Sequence, residues 1–283
     1  MKIGMNMLLW TSHLTDAHAG ILRQLKNWGY DGVQVPIFEG DEAHYRHLAR
    51  LLDDVGLERT GLTLLPERDM HILSDDPAHR AKGLAHLKWA IDCSVALGAT
   101  QLGGPIHQTL GYFTGAPPTD IEVGRAIECH RALGDHAQGA GVPIAIEALN
   151  RFECYFVNTM ADLGAYIDRV GHPFISGMYD TFHANIEEKD VSACIGPSAR
   201  WTTHVHISEN DRGTPGKGHI DWPAVFRELK ASGYDGWLTI EAFGRALPQL
   251  AAATRVWRDF FPHSDEVWQE GFKLIRDGWR AAH

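Results

Sequence analysis

Four residues of this chain combine a metal-ligand type with an informative position: Glu147, Asp180, His206 and Glu241. Each closes a short apolar run, in Ile144-Ala145-Ile146-Glu147, Met178-Tyr179-Asp180, His204-Val205-His206 and Leu238-Thr239-Ile240-Glu241. Such runs read as buried strands. An ionisable group at the end of one is costly unless it is paired or bound to a cation. Taken singly, an ion pair, a helix cap or a satisfied core histidine explains any of the four. Four in succession, at the same end of consecutive strands, favour a shared ligand. Three carboxylates packed together repel one another, and a divalent cation holds them ionised. Oxygen donors with one imidazole suit Mn²⁺, Mg²⁺ or Co²⁺ in an octahedral site with open coordination positions, more than a closed structural zinc site. His204 and His206 share a face of their strand. His206 is nearer the strand end and is assigned to the metal, His204 to a deeper hydrogen-bonded layer.

Three further residues extend this set towards a small polar pocket: Glu153 in Asn150-Arg151-Phe152-Glu153, His183 closing the sixth strand, and Arg212 after Glu209-Asn210-Asp211. Each alone reads equally well as a solvated loop charge. The stretch Gly213-Thr214-Pro215-Gly216-Lys217-Gly218 superficially resembles a phosphate loop. Asp211 stands where that motif needs its first glycine, and Gly218 where it needs Ser or Thr. The segment is expected to be a mobile loop over the site.

The elements that must position these residues follow one rhythm. Apolar runs at 3–10, 32–38, 59–65, 100–106, 143–149, 176–183, 202–209 and 237–243 read as eight strands. Amphipathic segments alternate with them, at 42–55, 77–97, 120–140, 160–170, 222–232, 248–260 and 266–280, with a further one stopping at Gly29 and an irregular one from Ile186. Glycines after the helices and Val, Ile and Leu in the strands are the expected punctuation. Eight β/α alternations in 283 residues predict a single (β/α)₈ barrel domain, 1–283, with a C-terminal helical extension. A doubly wound open sheet is the alternative, but no G-x-G-x-x-G follows the first strand. In a barrel, the ends of the strands that carry the four candidate ligands form the mouth where active sites lie.

The bulk composition narrows the partners. A formal charge of −10, without a basic cluster, argues against nucleic acid. Cys93, Cys129, Cys154 and Cys194 form no C-x-x-C pair and are expected to be reduced. No run approaches a membrane span, and the apolar stretch at 3–10 is short for a signal peptide, so a cytoplasmic protein is expected.

The segments around the four residues resemble the D-tagatose 3-epimerase family, which includes D-allulose and L-ribulose 3-epimerases, within the xylose-isomerase-like barrels. The motifs are Ile146-Glu147-Ala148-Leu149-Asn150-Arg151-Phe152-Glu153, Tyr179-Asp180-Thr181-Phe182-His183-Ala184-Asn185-Ile186-Glu187-Glu188-Lys189-Asp190, His204-Val205-His206-Ile207-Ser208-Glu209-Asn210-Asp211-Arg212-Gly213-Thr214-Pro215-Gly216 and Tyr234-Asp235-Gly236-Trp237-Leu238-Thr239-Ile240-Glu241-Ala242-Phe243. The resemblance implies an isomerase acting on a free ketose, with Mn²⁺ or a similar cation on Glu147, Asp180, His206 and Glu241. It also implies that Glu153, His183 and Arg212 hold the C1–C2 end of the sugar. A tryptophan common in the family after the fourth strand is absent, and Gly103-Gly104-Pro105-Ile106-His107 stands there, with Tyr112 and Phe113 beyond.

The expected chemistry is epimerisation at C3. Glu147 and Glu241, on opposite faces of the carbon, exchange a proton through an enediolate stabilised by the cation. An aldose–ketose or hydroxypyruvate-type isomerase and an apurinic-endonuclease-type enzyme are the rival readings on the same barrel. A homodimer or homotetramer is expected. Trp257, Phe260, Phe261, Trp268 and Trp279 are candidates for its interface or for packing of the last helices.

Overall fold

The computed structural model describes residues 1–283. Eight strands, β1 (Lys2–Asn6), β2 (Gly32–Pro36), β3 (Glu58–Leu62), β4 (Leu102–Gly104), β5 (Ile144–Glu147), β6 (Ile175–Asp180), β7 (Thr202–Ile207) and β8 (Trp237–Ile240), pair in parallel in chain order. The sheet closes through β8 and β1, with Leu238 beside Ile3 and Ile240 beside Met5. That pairing excludes the open-sheet alternative.

Ten helices alternate with or follow the strands: α1 (Ala19–Trp28), α2 (Glu42–Val55), α3 (Pro77–Leu97), α4 (Asp120–Ala140), α5 (Met160–Val170), α6 (Thr181–Glu187), α7 (Ile195–Ser198), α8 (Trp222–Ala231), α9 (Pro248–Ala253) and α10 (Ser264–Ala281). α4 shows why they begin and end where they do. The Thr119 hydroxyl accepts the N–H of Glu122, whose carboxylate accepts the Thr119 N–H in return. The helix stops at Gly141, whose φ of 74° lies in the left-handed region. α10 buries Val267, Trp268, Phe272 and Ile275 against the barrel, and the Tyr30 hydroxyl donates to the Trp268 carbonyl. Of the late aromatics, Trp268 is therefore core, Phe260, Phe261 and Trp279 are half-buried, and Trp257 alone is exposed.

The strands are shorter than their apolar runs at the C-terminal end. β1 gives way after Asn6 to a 3₁₀ turn, Met7–Leu9, and β6 ends at Asp180. His183 consequently lies in the first turn of α6 and does not close a strand. Apolar residues just beyond β1, β2, β3, β5 and β8, namely Leu8, Phe38, Leu64, Leu149 and Phe243, line a cavity at the strand ends. α9 also stops earlier than periodicity suggests, at Ala253. All four cysteines are free, and burial pushes the Cys93, Cys129 and Cys154 thiols up to about 12, which makes them inert. No helix is long and apolar enough to cross a membrane.

Candidate metal centre

The closed barrel brings together the four residues singled out in the sequence. Glu147 ends β5, Asp180 ends β6, His206 is the penultimate residue of β7, and Glu241 follows β8. All four are buried, and one ligand atom from each lies within 4.8 Å of the others. His206 Nδ1 is central, 3.4 Å from Glu147 Oε1, 3.4 Å from Glu241 Oε1 and 3.6 Å from Asp180 Oδ2. The strand ends are locked to one another. Ser208 N–H donates to Thr181 Oγ1, the Thr181 hydroxyl donates to the Ser208 carbonyl, and the Ser208 hydroxyl donates to the Glu241 carbonyl.

A chain of hydrogen bonds sets the tautomer of His206. The backbone N–H of Leu8 donates to Asn6 Oδ1, so the Asn6 amide nitrogen faces the other way. It donates to Gln34 Oε1 at 3.0 Å and to Glu241 Oε1 at 2.9 Å. The Gln34 oxygen therefore faces His206 Nε2 at 2.8 Å and accepts its proton. Nδ1 is left with no hydrogen-bond partner in a fully buried position, aimed into the carboxylates. An imidazole oriented in this way by its other nitrogen is the usual form of a metal-bound histidine. The donor set fits a divalent cation. Without one, burial opposes charge on His206 but the Glu241 and Glu147 carboxylates outweigh it, and its pKa rises well above the ordinary value.

Burial raises the Glu241 carboxyl to about 7, against the pull of His206 and Arg212. Asp180 has a second duty, since its Oδ1 caps α6 by accepting the Phe182 N–H at 2.7 Å while Oδ2 faces the cluster. Burial works against ionisation there as well, but Arg212 and His183 overcome it and hold the carboxyl well below the usual range.

The structure also brings the three candidate substrate residues to this cavity. Arg212 Nη1 donates to Asp180 Oδ2 at 3.1 Å and to Glu241 Oε2 at 2.6 Å. Its guanidinium is stacked 3.8 Å from the Phe182 ring centroid and 4.8 Å from that of Phe243. Arg212 adopts φ 67°, left-handed backbone that a side chain this large rarely takes, held by Phe243 N–H to its carbonyl. His183 accepts the Asn150 N–H on Nδ1, and its Nε2 lies 3.8 Å from Glu147. Burial first, and then Arg212, lowers the His183 pKa. Asn150 Nδ2 also donates to Glu153 Oε1, so one residue orients both.

One expectation changes. The segment 213–218 is not a loose cover: the buried Glu209 carboxylate accepts the N–H groups of Asn210, Gly216 and Ile220 and the Trp222 indole N–H. Leu250 and Thr254, in and just after α9, line the cavity, and no residue of 213–218 does. His204 lies deeper, paired with Gln101 through Nδ1 at 3.2 Å, as the strand geometry implied. Asn6 and Gln34 escaped the sequence reading. Their signal was present, as a lone polar residue inside each of the first two apolar runs.

Comparison with known proteins agrees with this fold. Residues 22–277 match the family model described as xylose isomerase-like TIM barrel. A probable ketose 3-epimerase of Synechocystis sp. is 30% identical over 280 residues, covering 99% of this chain and 97% of the relative. The solved structure of an L-ribulose 3-epimerase superposes with a TM-score of 0.92 at 29% identity, covering 99% of this chain and 94% of that one. A Methylomonas sp. D-allulose 3-epimerase solved in complex with D-allulose gives a TM-score of 0.90 at 29% identity, over 98% of this chain and 96% of the other. By sequence and by fold, the chain belongs to the xylose isomerase-like TIM barrel family and groups within it with the ketose 3-epimerases.

Proposed function

We propose that this chain is a metal-dependent epimerase that interconverts free ketoses at C3, with Glu147, Asp180, His206 and Glu241 as metal ligands and Glu147 and Glu241 as the two acid–base groups. The observation that carries the reading is the buried cluster at the barrel mouth, in which Glu147 Oε1 and Glu241 Oε1 each lie 3.4 Å from His206 Nδ1. The names of the relatives supply the substrate class.

A divalent cation in the cluster, Mn²⁺ by preference and Co²⁺ or Mg²⁺ as alternatives, would act as a Lewis acid on the oxygens next to C3. The protein's own groups do the rest. Glu147 and Glu241 come from β5 and from the end of β8, so a carbon held between them meets a carboxylate on each face. One removes the C3 proton, and the other returns a proton to the opposite face. Asn6 holds Glu241 by its Oε1, which keeps that carboxylate from swinging away. Glu153, His183 and Arg212 hold the C1–C2 end of the sugar, and Arg212 keeps negative charge tolerable in a buried site. Leu250 and Thr254 exclude water while the proton is in transit. A cytoplasmic homo-oligomer completes the reading.

Proton NMR of D-fructose, D-tagatose and L-ribulose with Mn²⁺-loaded protein in D₂O tests it. Deuterium at C3 together with the 3-epimer is the expected result. Deuterium at C1 with an aldose product would replace it by the aldose–ketose reading.

A further inference from the structure

Residues 105–119 lead from β4 to α4, and residues 148–159 lead from β5 to α5. Neither connection contains a helix or a strand, yet the second carries Glu153. Where that carboxylate stands must therefore be fixed by something other than regular secondary structure. Gln108, in the first connection, is 1% exposed. Its Oε1 accepts the N–H groups of Tyr155 at 3.2 Å and Phe156 at 3.0 Å. Its Nε2 donates to the carbonyls of Thr109 at 3.1 Å and Tyr112 at 3.0 Å. A carboxamide offers two lone pairs and two N–H donors on one planar group, and here all four are used. Asparagine carries the same group on a side chain one methylene shorter.

The Tyr155 and Phe156 N–H groups have no backbone acceptor, so Gln108 alone satisfies them. The two connections meet once more where Gly111 N–H donates to the Glu153 carbonyl at 2.9 Å. Just beyond, Val157 adopts φ 60°, left-handed backbone that is costly for a β-branched residue. A segment under that strain shifts when its tie is cut, and Glu153 lies two residues before the tied N–H groups. We propose that Gln108 is a positioning residue for sugar binding, which acts through Glu153 by clasping the connection after β5 to the connection after β4. This rests on the ketose reading given above, in which Glu153 holds the C1–C2 end of the sugar.

The test uses Mn²⁺-loaded protein. In the wild type, the Tyr155 and Phe156 amides should exchange with D₂O as slowly as those of β5, and fast exchange would overturn the proposal without any substitution. Gln108→Met keeps the length of the side chain and removes all four bonds. Calorimetry with D-fructose, D-tagatose and L-ribulose should show sugar affinity falling roughly 10-fold, since a hydrogen bond to a charged group is worth about that much. Mn²⁺ affinity should not change, and KM should move more than kcat. In a Glu153→Gln background the same substitution should cost nothing further. A merely structural role would lower sugar affinity equally in both backgrounds. That result, or unaltered affinity in Gln108→Met, would overturn the proposal. Gln108→Glu keeps an oxygen for both N–H groups and should retain close to wild-type affinity at lower stability, and a roughly 10-fold loss there too would count against the clasp. The expected pattern with no deuterium at C3 on any sugar would instead overturn the epimerase reading and leave Gln108 as the organiser of a sugar site. No sugar binding by the wild type would overturn both.

Discussion

Glu147 and Glu241 sit at equal distances from His206 Nδ1, and the two-base scheme gives them interchangeable duties. Glu147→Gln and Glu241→Gln are each expected to lower turnover in both directions by at least about 100-fold, the usual contribution of a positioned acid–base group. A variant retaining a tenth of the wild-type rate with metal bound would sink the scheme. Gln34 acts through His206, since its oxygen accepts the hydrogen bond from Nε2–H and leaves Nδ1 free. Gln34→Leu removes that acceptor and should weaken Mn²⁺ binding roughly 10- to 100-fold, as loss of a histidine's outer partner generally does. Chelator competition measures this, and an unchanged affinity would exclude Gln34 from the centre.

At the scale of elements, the site depends on how the segment after β7 is tied down. Glu209 carries no exposed surface and gathers four N–H groups across residues 210–222. The same segment delivers Arg212 in its left-handed backbone. Glu209→Ala leaves buried donors without an acceptor, at about 1–3 kcal/mol each before relaxation. The variant should lose about 3 kcal/mol or more of stability by urea titration and most of its turnover, because Arg212 loses its fixed approach to Asp180 and Glu241. Wild-type stability would show that the loop is held by packing alone. Helix boundaries at this scale were legible from the chain: α2, α3, α4 and α5 run as their periodicity and terminal glycines predict. The C-terminal strand boundaries were not. The apolar residues just past β1, β3 and β5, such as Leu8, Leu64 and Leu149, are hydrophobic because they line the cavity, and hydrophobicity alone does not separate a cavity wall from a strand.

Over the whole molecule, histidines buried in the neutral form tie stability to pH. Burial lowers His71 to about 4, His107 to about 3 and His130 to about 4. Above about pH 6.5, the ordinary value, neither folded nor unfolded chain protonates them. As pH falls from there to about 4, the unfolded chain takes up protons that the folded chain refuses, so stability declines. Each histidine contributes a slope of up to about 1.4 kcal/mol per pH unit. His107→Leu, at a site where both ring nitrogens lack a partner, should remove about one proton's worth of that slope between pH 6.5 and 4. Urea midpoints across the window check it, and a variant with an undiminished slope would show that His107 titrates normally.

The chain by itself determined the eightfold alternation, the four ligand candidates and the acidic character that argues against nucleic acid, because strand-end charges and glycine punctuation are local signals. Only the tertiary structure decided that the sheet closes, that His183 belongs to a helix, and that Asn6 and Gln34 complete the centre. Closure places β1 beside β8 and brings β2 within reach of β7, so residues more than 170 positions apart become hydrogen-bond partners. No periodicity carries that proximity, since it arises from the curvature of the whole sheet.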